Sequence, residues 1–164
     1  VHLAWASCQD RQPGFYAAEE TIDILGPKGV LKKIRLVGPY RSHTQIELAR
    51  TDALVLGVNA PVRESGDVNG SSGAVLVGPA GRVEIKEGVI LAQRHLHFSP
   101  GEAENLGVAS GELVRVRAGT GRGRSTVFED VVVRVSQMYS LEFHVDTDEA
   151  NAAVLKTGDI VHIA

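Results

Sequence analysis

Cysteine occurs only once in this 164-residue chain, at Cys8. A single thiol excludes an intramolecular disulfide and points to a reducing compartment. It also excludes the cysteine-rich cages in which structural zinc is often closed. No base neighbours Cys8 in sequence, so nothing marks it as a nucleophile. Long apolar runs are missing as well. The longest, "VVVRV" and "ALVLGV", are far short of the ~20 residues that a membrane-spanning helix needs. Positive charge is not in excess, since 17 Lys and Arg against 20 Asp and Glu leave a net charge of -3. That excludes the basic footprint of a general nucleic-acid binder. An anionic small substrate would therefore have to be held locally, by a metal or a few arginines. The Gly/Ser-rich stretch "APVRESGDVNGSSGAVLVG" (60–78) lacks the spacing and lysine of a P-loop, so a nucleoside-triphosphate cradle is not supported. It reads either as a linker or as a loop whose backbone N–H groups cradle an anion. Val1 follows neither a methionine nor a signal-peptide pattern, and an upstream segment is expected.

What is present is the composition of an ordinary globular protein, 43% hydrophobic and 23% charged. The length suits one domain or two very small ones. Aromatics are few, and short Val/Ile-rich runs are punctuated by Gly-Pro and Gly-x turns, the pattern of short strands closing into barrels or sandwiches. Strands are predicted at 20–26, 31–38, 44–49, 73–78, 82–88, 90–98, 112–118, 126–135, 141–146 and 159–164. Helical signals are brief. "SPGEAENLGV" has Ser99 as N-cap, Pro100 at the first position, Glu102 completing a capping box and Gly107 as stop. "TDEANAAVLKTG" repeats the plan with Thr147 as cap and Gly158 as stop, and "TDALVLG" (51–57) is a shorter version. Two internal matches stand out. "ILGPKGVLKKIRLVGPYR" (24–41) aligns with "LVGPAGRVEIKEGVILAQR" (76–94), and "SGELVRVRA" (110–118) resembles "TGDIVHIA" (157–164). These predict a mainly β fold of two similar small β-barrels from an internal duplication, with short capped helices and the active site at the seam. The halves are placed at 1–72, its N-terminal segment exchanging strands with the other half, and 73–164.

The residues that carry chemistry cluster in a few short stretches. In "RHLHFSP", His95 and His97 lie two apart on a predicted strand, hence on one face with Cα atoms about 6–7 Å apart. His144 in "EFHVDTDEANAA" stands at the end of another strand before a capped helix, as His97 does. With Glu47 in "TQIELARTD" and His2 in "VHL", these are the candidate metal ligands. Imidazoles with an occasional carboxylate suit zinc in an open, catalytic site. Each histidine taken singly also fits a surface or packing role. Asp146 and Asp148 are explained by helix capping, and His43 and His162 by surface or packing. Arg41 alternates toward Gln45 and Glu47, a pattern that suits either a phosphate held by a guanidinium beside a metal or a cross-strand Arg–Glu pair.

The ordered motifs "GPYRSHTQIELARTDALVLGVNAPVRESGDV", "RHLHFSP" and "HVDTDEANAA" resemble the PduL-type phosphotransacylases, the phosphate propanoyltransferases associated with bacterial microcompartments. The resemblance runs from about residue 13 to the end. It implies two β-barrels with short helices, two zinc ions per chain, and reversible acyl transfer between coenzyme A and inorganic phosphate. By matched position it implies Glu47 as the carboxylate bridging both ions and His95, His97 and His144 as ligands of one. Arg41 is implied as the phosphate-binding arginine, with Gln45, Ser65 and Asn151 lining the site. The other ion belongs to an N-terminal His-x-His, of which His2 matches the second histidine while the first would precede Val1. The stretch between Leu3 and Gln12 is shorter than the family pattern. As partners the resemblance implies acyl-CoA and phosphate, copies of the same chain, and microcompartment enzymes or shell, in a bacterial cytoplasm and with neither nucleic acid nor membrane. Two other readings share these residues: a zinc-dependent thioester hydrolase and a non-catalytic β-barrel module with structural zinc.

Overall fold

Apolar and polar residues alternate along most of the strand segments, and that period-two pattern builds the fold. The computed structural model describes residues 3–4, 16–119, 121 and 123–164. The chain runs β1 (Leu3–Ala4), β2 (Tyr16–Leu25), β3 (Val30–Gly38), β4 (Ile46–Glu47), α1 (Arg50–Leu56), β5 (Val62–Arg63), β6 (Ser72–Gly78) and β7 (Gly81–Ala92). It continues through β8 (His95–Phe98), α2 (Pro100–Leu106), β9 (Leu113–Ala118), β10 (Thr126–Val135), β11 (Glu142–His144), α3 (Thr147–Ala152) and β12 (Ile160–Ile163). The fold is mainly β, with two small barrel-like units and few short helices. No helix among the described residues is long and apolar enough to cross a membrane.

Residues 16–92 make one unit. Its sheet has the order β3-β2-β6-β7-β4, with β5 also pairing β7. The two Gly-Pro-x-Gly segments are tight turns joining β2 to β3 and β6 to β7, as the sequence suggests. Both hairpins nevertheless lie in this one sheet, because β2 and β6 are antiparallel neighbours with Ile24 opposite Leu76. Ile24, Ile46, Leu48, Leu56, Val89 and Leu91 are buried together in its core. The β2–β3 turn sits tightly on the end of α1. Lys28 N donates to Leu56 O at 2.9 Å, and a Cβ on Gly26 would fall 2.3 Å from that same oxygen. Only glycine admits so close a backbone approach.

Residues 93–164 with β1 make the other unit, a closed barrel in the order β1-β11-β8-β10-β9-β12. The second internal match falls here, as β9 and β12, which pair antiparallel with Val116 opposite Ile163. Each repeat therefore lies inside one unit, and the division lies at 92/93 rather than at 72/73. A cut after residue 72 would sever β6 and β7 from the β2 ladder that completes their sheet. Leu96, Phe98, Val116, Val131, Val133, Phe143 and Val161 fill the barrel, all essentially inaccessible. Burying each such side chain is worth about 1.5–3 kcal/mol.

The helices follow their caps. In α2 the Ser99 side chain accepts from Glu102 N, Glu102 reaches back to Ser99 N, and Gly107 ends the helix in the left-handed region at φ 65°. In α3 the cap is Asp146 rather than Thr147, and the helix stops at Ala153, well before Gly158. The Asp146 carboxylate accepts from Glu149 N at 2.8 Å, a stronger charge-assisted cap than the threonine hydroxyl one residue later offers.

Candidate metal centre and anion site

Leu96 and Phe98 point into the barrel, so His95 and His97, which alternate with them, take its outer face. On β11 the same alternation buries Phe143 inward and places Glu142 and His144 outward. β8 and β11 run antiparallel with His144 directly opposite His95 and Glu142 opposite His97. Three imidazoles from two strands thus converge. Their ring centroids are 4.4–4.9 Å apart, with His95 and His144 stacked face to face. One ligand nitrogen from each lies within 4.8 Å of the others.

Electrostatics keeps two of these rings, His95 and His97, neutral. His95 is lowered from 6.5 to about 3 and His97 from 6.5 to about 2, first by burial, then by the neighbouring imidazoles and Arg134. A neutral imidazole retains the lone pair that a metal requires. The tautomer of His95 is set as well. Its Nδ1 lies 2.8 Å from the Gln93 carbonyl, which can only accept, so Nδ1 carries the proton and Nε2 the lone pair. Tyr139 stacks on His97 with centroids 3.8 Å apart, fixing that ring's plane. Three converging imidazoles, two of them held neutral and oriented, fit a divalent cation such as zinc, leaving room for at least one further ligand.

In the other unit, Gln45 and Glu47 share a face because Ile46 and Leu48 between and beyond them are buried in the core. Pairing of β4 and β5 with β7 brings the loops bearing Arg41 and Ser65 together. Arg41 Nη1 donates to Ser65 Oγ at 3.2 Å, and Gln45 Nε2 donates to the same oxygen at 2.9 Å. Gln45 Nε2 also donates to Glu47, and Gly66 N donates to Gln45 Oε1 at 2.7 Å, which orients the amide. Arg41, Gln45 and Gly66 line a cavity of about 260 Å³ together with Ser42, His43 and Val68. His43, assigned from sequence to surface or packing, is an exposed wall of this cavity.

The structure thus brings His95, His97 and His144 together on the barrel, and Arg41, Gln45, Glu47 and Ser65 together on the other unit. Asn151 sits exposed on α3, the helix that follows His144. His2 and Cys8 lie outside the described residues. Sequence reasoning missed three neighbours of the imidazoles. Arg134 on β10 is in register with His97, Glu142 is two residues before His144, and Tyr139 stacks on His97. The alternation that marked His144 marks Glu142 too, once the strand face is known.

A family model for phosphate propanoyltransferases matches residues 7–156. The chain belongs to the phosphate propanoyltransferase family. Among its relatives of that name, the protein from Thermotoga maritima is 52% identical over 153 residues, covering 93% of this chain and 72% of the relative. The one from Shewanella putrefaciens is 47% identical over 150 residues, covering 92% and 71%. The one from Salmonella typhimurium is 52% identical over 142 residues, covering 87% and 67%. As a member of this family the chain is an enzyme, an acyltransferase.

Proposed function

We propose that this enzyme is a zinc-dependent phosphotransacylase that moves a short acyl group reversibly between coenzyme A and inorganic phosphate. The observation that carries the reading is the set of three imidazoles, His97 buried and His95 and His144 partly so, with donor atoms within 4.8 Å of one another. His95, His97 and His144 would hold one ion. Glu47 and His2 would enter, on the family pattern, as further metal ligands. A bound zinc supplies Lewis acidity toward the thioester carbonyl and a soft acceptor for the departing sulfur.

The chain's own residues do the rest. Arg41 presents a planar, permanently charged fork that matches phosphate and offsets its charge. Gln45 and Arg41 both donate to Ser65 Oγ, which fixes the guanidinium in place, so the anion meets a preset positive charge. Held there, a phosphate oxygen forms the new bond to the carbonyl carbon as the carbon–sulfur bond breaks and coenzyme A leaves as thiolate. Positioning alone lowers such a barrier substantially. On the family pattern, Asn151 would be a further lining residue. No acyl-enzyme is required. The setting we infer is the bacterial cytoplasm.

The test is CoA release from propanoyl-CoA with and without phosphate, alongside metal analysis of the purified protein. Phosphate-dependent release, bound zinc, and a loss on the order of 100–1,000-fold in Arg41→Ala are expected. Undiminished turnover in that variant or after chelation refutes the assignment. Release that ignores phosphate identifies a hydrolase instead.

A further inference from the structure

A carboxylate taken out of water destabilises a fold unless something compensates its charge. Glu142 is only 2% exposed, yet its Oε1 has no hydrogen-bond partner among the described residues. Its other oxygen, Oε2, lies 3.3 Å from His144 Nε2. Strand alternation puts Glu142 on the face of the barrel that carries the imidazoles, across from His97. The donor atoms close enough to share one ion come from the three imidazoles, and Glu142 is not among them.

Resting on the metal reading above, we propose that Glu142 is a positioning residue: its carboxylate accepts the Nε2–H of His144 and so makes Nδ1 the atom that faces a divalent cation. The barrel then orients two of its three imidazoles by opposite devices. The Gln93 carbonyl holds the proton of His95 on Nδ1, and Glu142 holds that of His144 on Nε2. The carboxylate charge also offsets that of the cation from behind the ring, raising the basicity of the ligating nitrogen. The uncompensated Oε1 has the same explanation: the charge is balanced when the cation is present.

The experiment compares zinc affinity of the whole chain and of Glu142→Gln and Glu142→Asp by chelator competition. ¹⁵N NMR of the histidines reads the tautomers, and X-ray absorption reads the ligands. Glutamine can turn its NH₂ toward Nε2 and so releases the constraint. A 10–100-fold loss of affinity is expected for it, with substantial recovery in the aspartate variant. The ligand count should not change, and wild-type His144 should be the Nε2–H tautomer. Affinity within twofold of wild type, loss of an oxygen ligand on substitution, or wild-type His144 protonated on Nδ1 overturns the proposal. The tautomer measurement needs no variant, so it decides the matter even where glutamine prevents folding. If the wild type itself binds no zinc, the metal reading fails first. If it binds and Glu142→Gln matches it, only the role of Glu142 fails.

Discussion

His97 should make the metal-free barrel acid-sensitive, and removing it should make that barrel more acid-resistant. Its ring is 5% exposed and lowered from 6.5 to about 2 in the fold, by burial first and by the surrounding positive groups second. Between those two values the unfolded chain binds a proton that the folded chain refuses. Stability therefore falls as pH falls, from about 6.5 downward. Lowering the pH from 6.5 to 5 spans 1.5 units, and at about 1.4 kcal/mol per unit the fold loses about 2 kcal/mol through His97 alone. His95, lowered to about 3, adds a loss of the same sign. The assay is urea unfolding of chelated protein at pH 7.5 and 5, comparing wild type with His97→Leu. Leucine keeps much of the volume against Tyr139 and cannot titrate. On going to pH 5 the gap should move by about 2 kcal/mol in favour of the variant, roughly 1 M in midpoint for a urea slope of about 2 kcal/mol/M. Equal pH dependence in the two proteins would show that His97 is not held neutral by the fold, and the electrostatic case for the metal centre would lose its basis.

Two further outcomes concern what holds the imidazoles in place. Ser99→Ala removes the hydroxyl half of the α2 capping box, leaving the backbone N–H of residue 99 to donate to Glu102, and should cost about 1 kcal/mol in thermal or urea unfolding, with no change in zinc content. Phe143→Ala empties the barrel directly beneath Glu142 and His144; a loss of about 3–5 kcal/mol is expected, together with weaker zinc retention in dialysis against chelator, because the strand that sets the register has lost its anchor.

Features that need only neighbours along the chain were readable before any coordinates. Ser99, Pro100, Glu102 and Gly107 specify α2 by hydrogen bonds three or four residues apart, and the Gly-Pro-x-Gly turns specify their hairpins. The pairing of His95 with His97 is equally local, since alternation along one strand is enough. Where two local signals competed, the stronger acceptor decided: Asp146 displaced Thr147 as cap, while α3 ended at Ala153 and Gly158 lies in the turn before β12.

What was not readable depends on register between distant strands. The duplicated hairpins looked like one per half because turn chemistry repeats wherever a hairpin is needed. Whether two hairpins share a sheet is decided by edge-to-edge pairing, here β2 on β6, which leaves no mark on the turn residues. The same holds for the centre itself. His144 could be named a ligand from its place before a capped helix, but only antiparallel pairing of β8 with β11 sets it opposite His95. A one-residue slip in that ladder would turn Phe143 outward and His144 into the core. The barrel does not tolerate that slip, because Leu96, Phe98 and Phe143 are packed together inside it. The apolar residues between the imidazoles therefore specify the geometry of the imidazoles, and the polar positions Glu142 and Arg134 follow from the same registers. Their roles are legible only once the hydrophobic set has chosen its face.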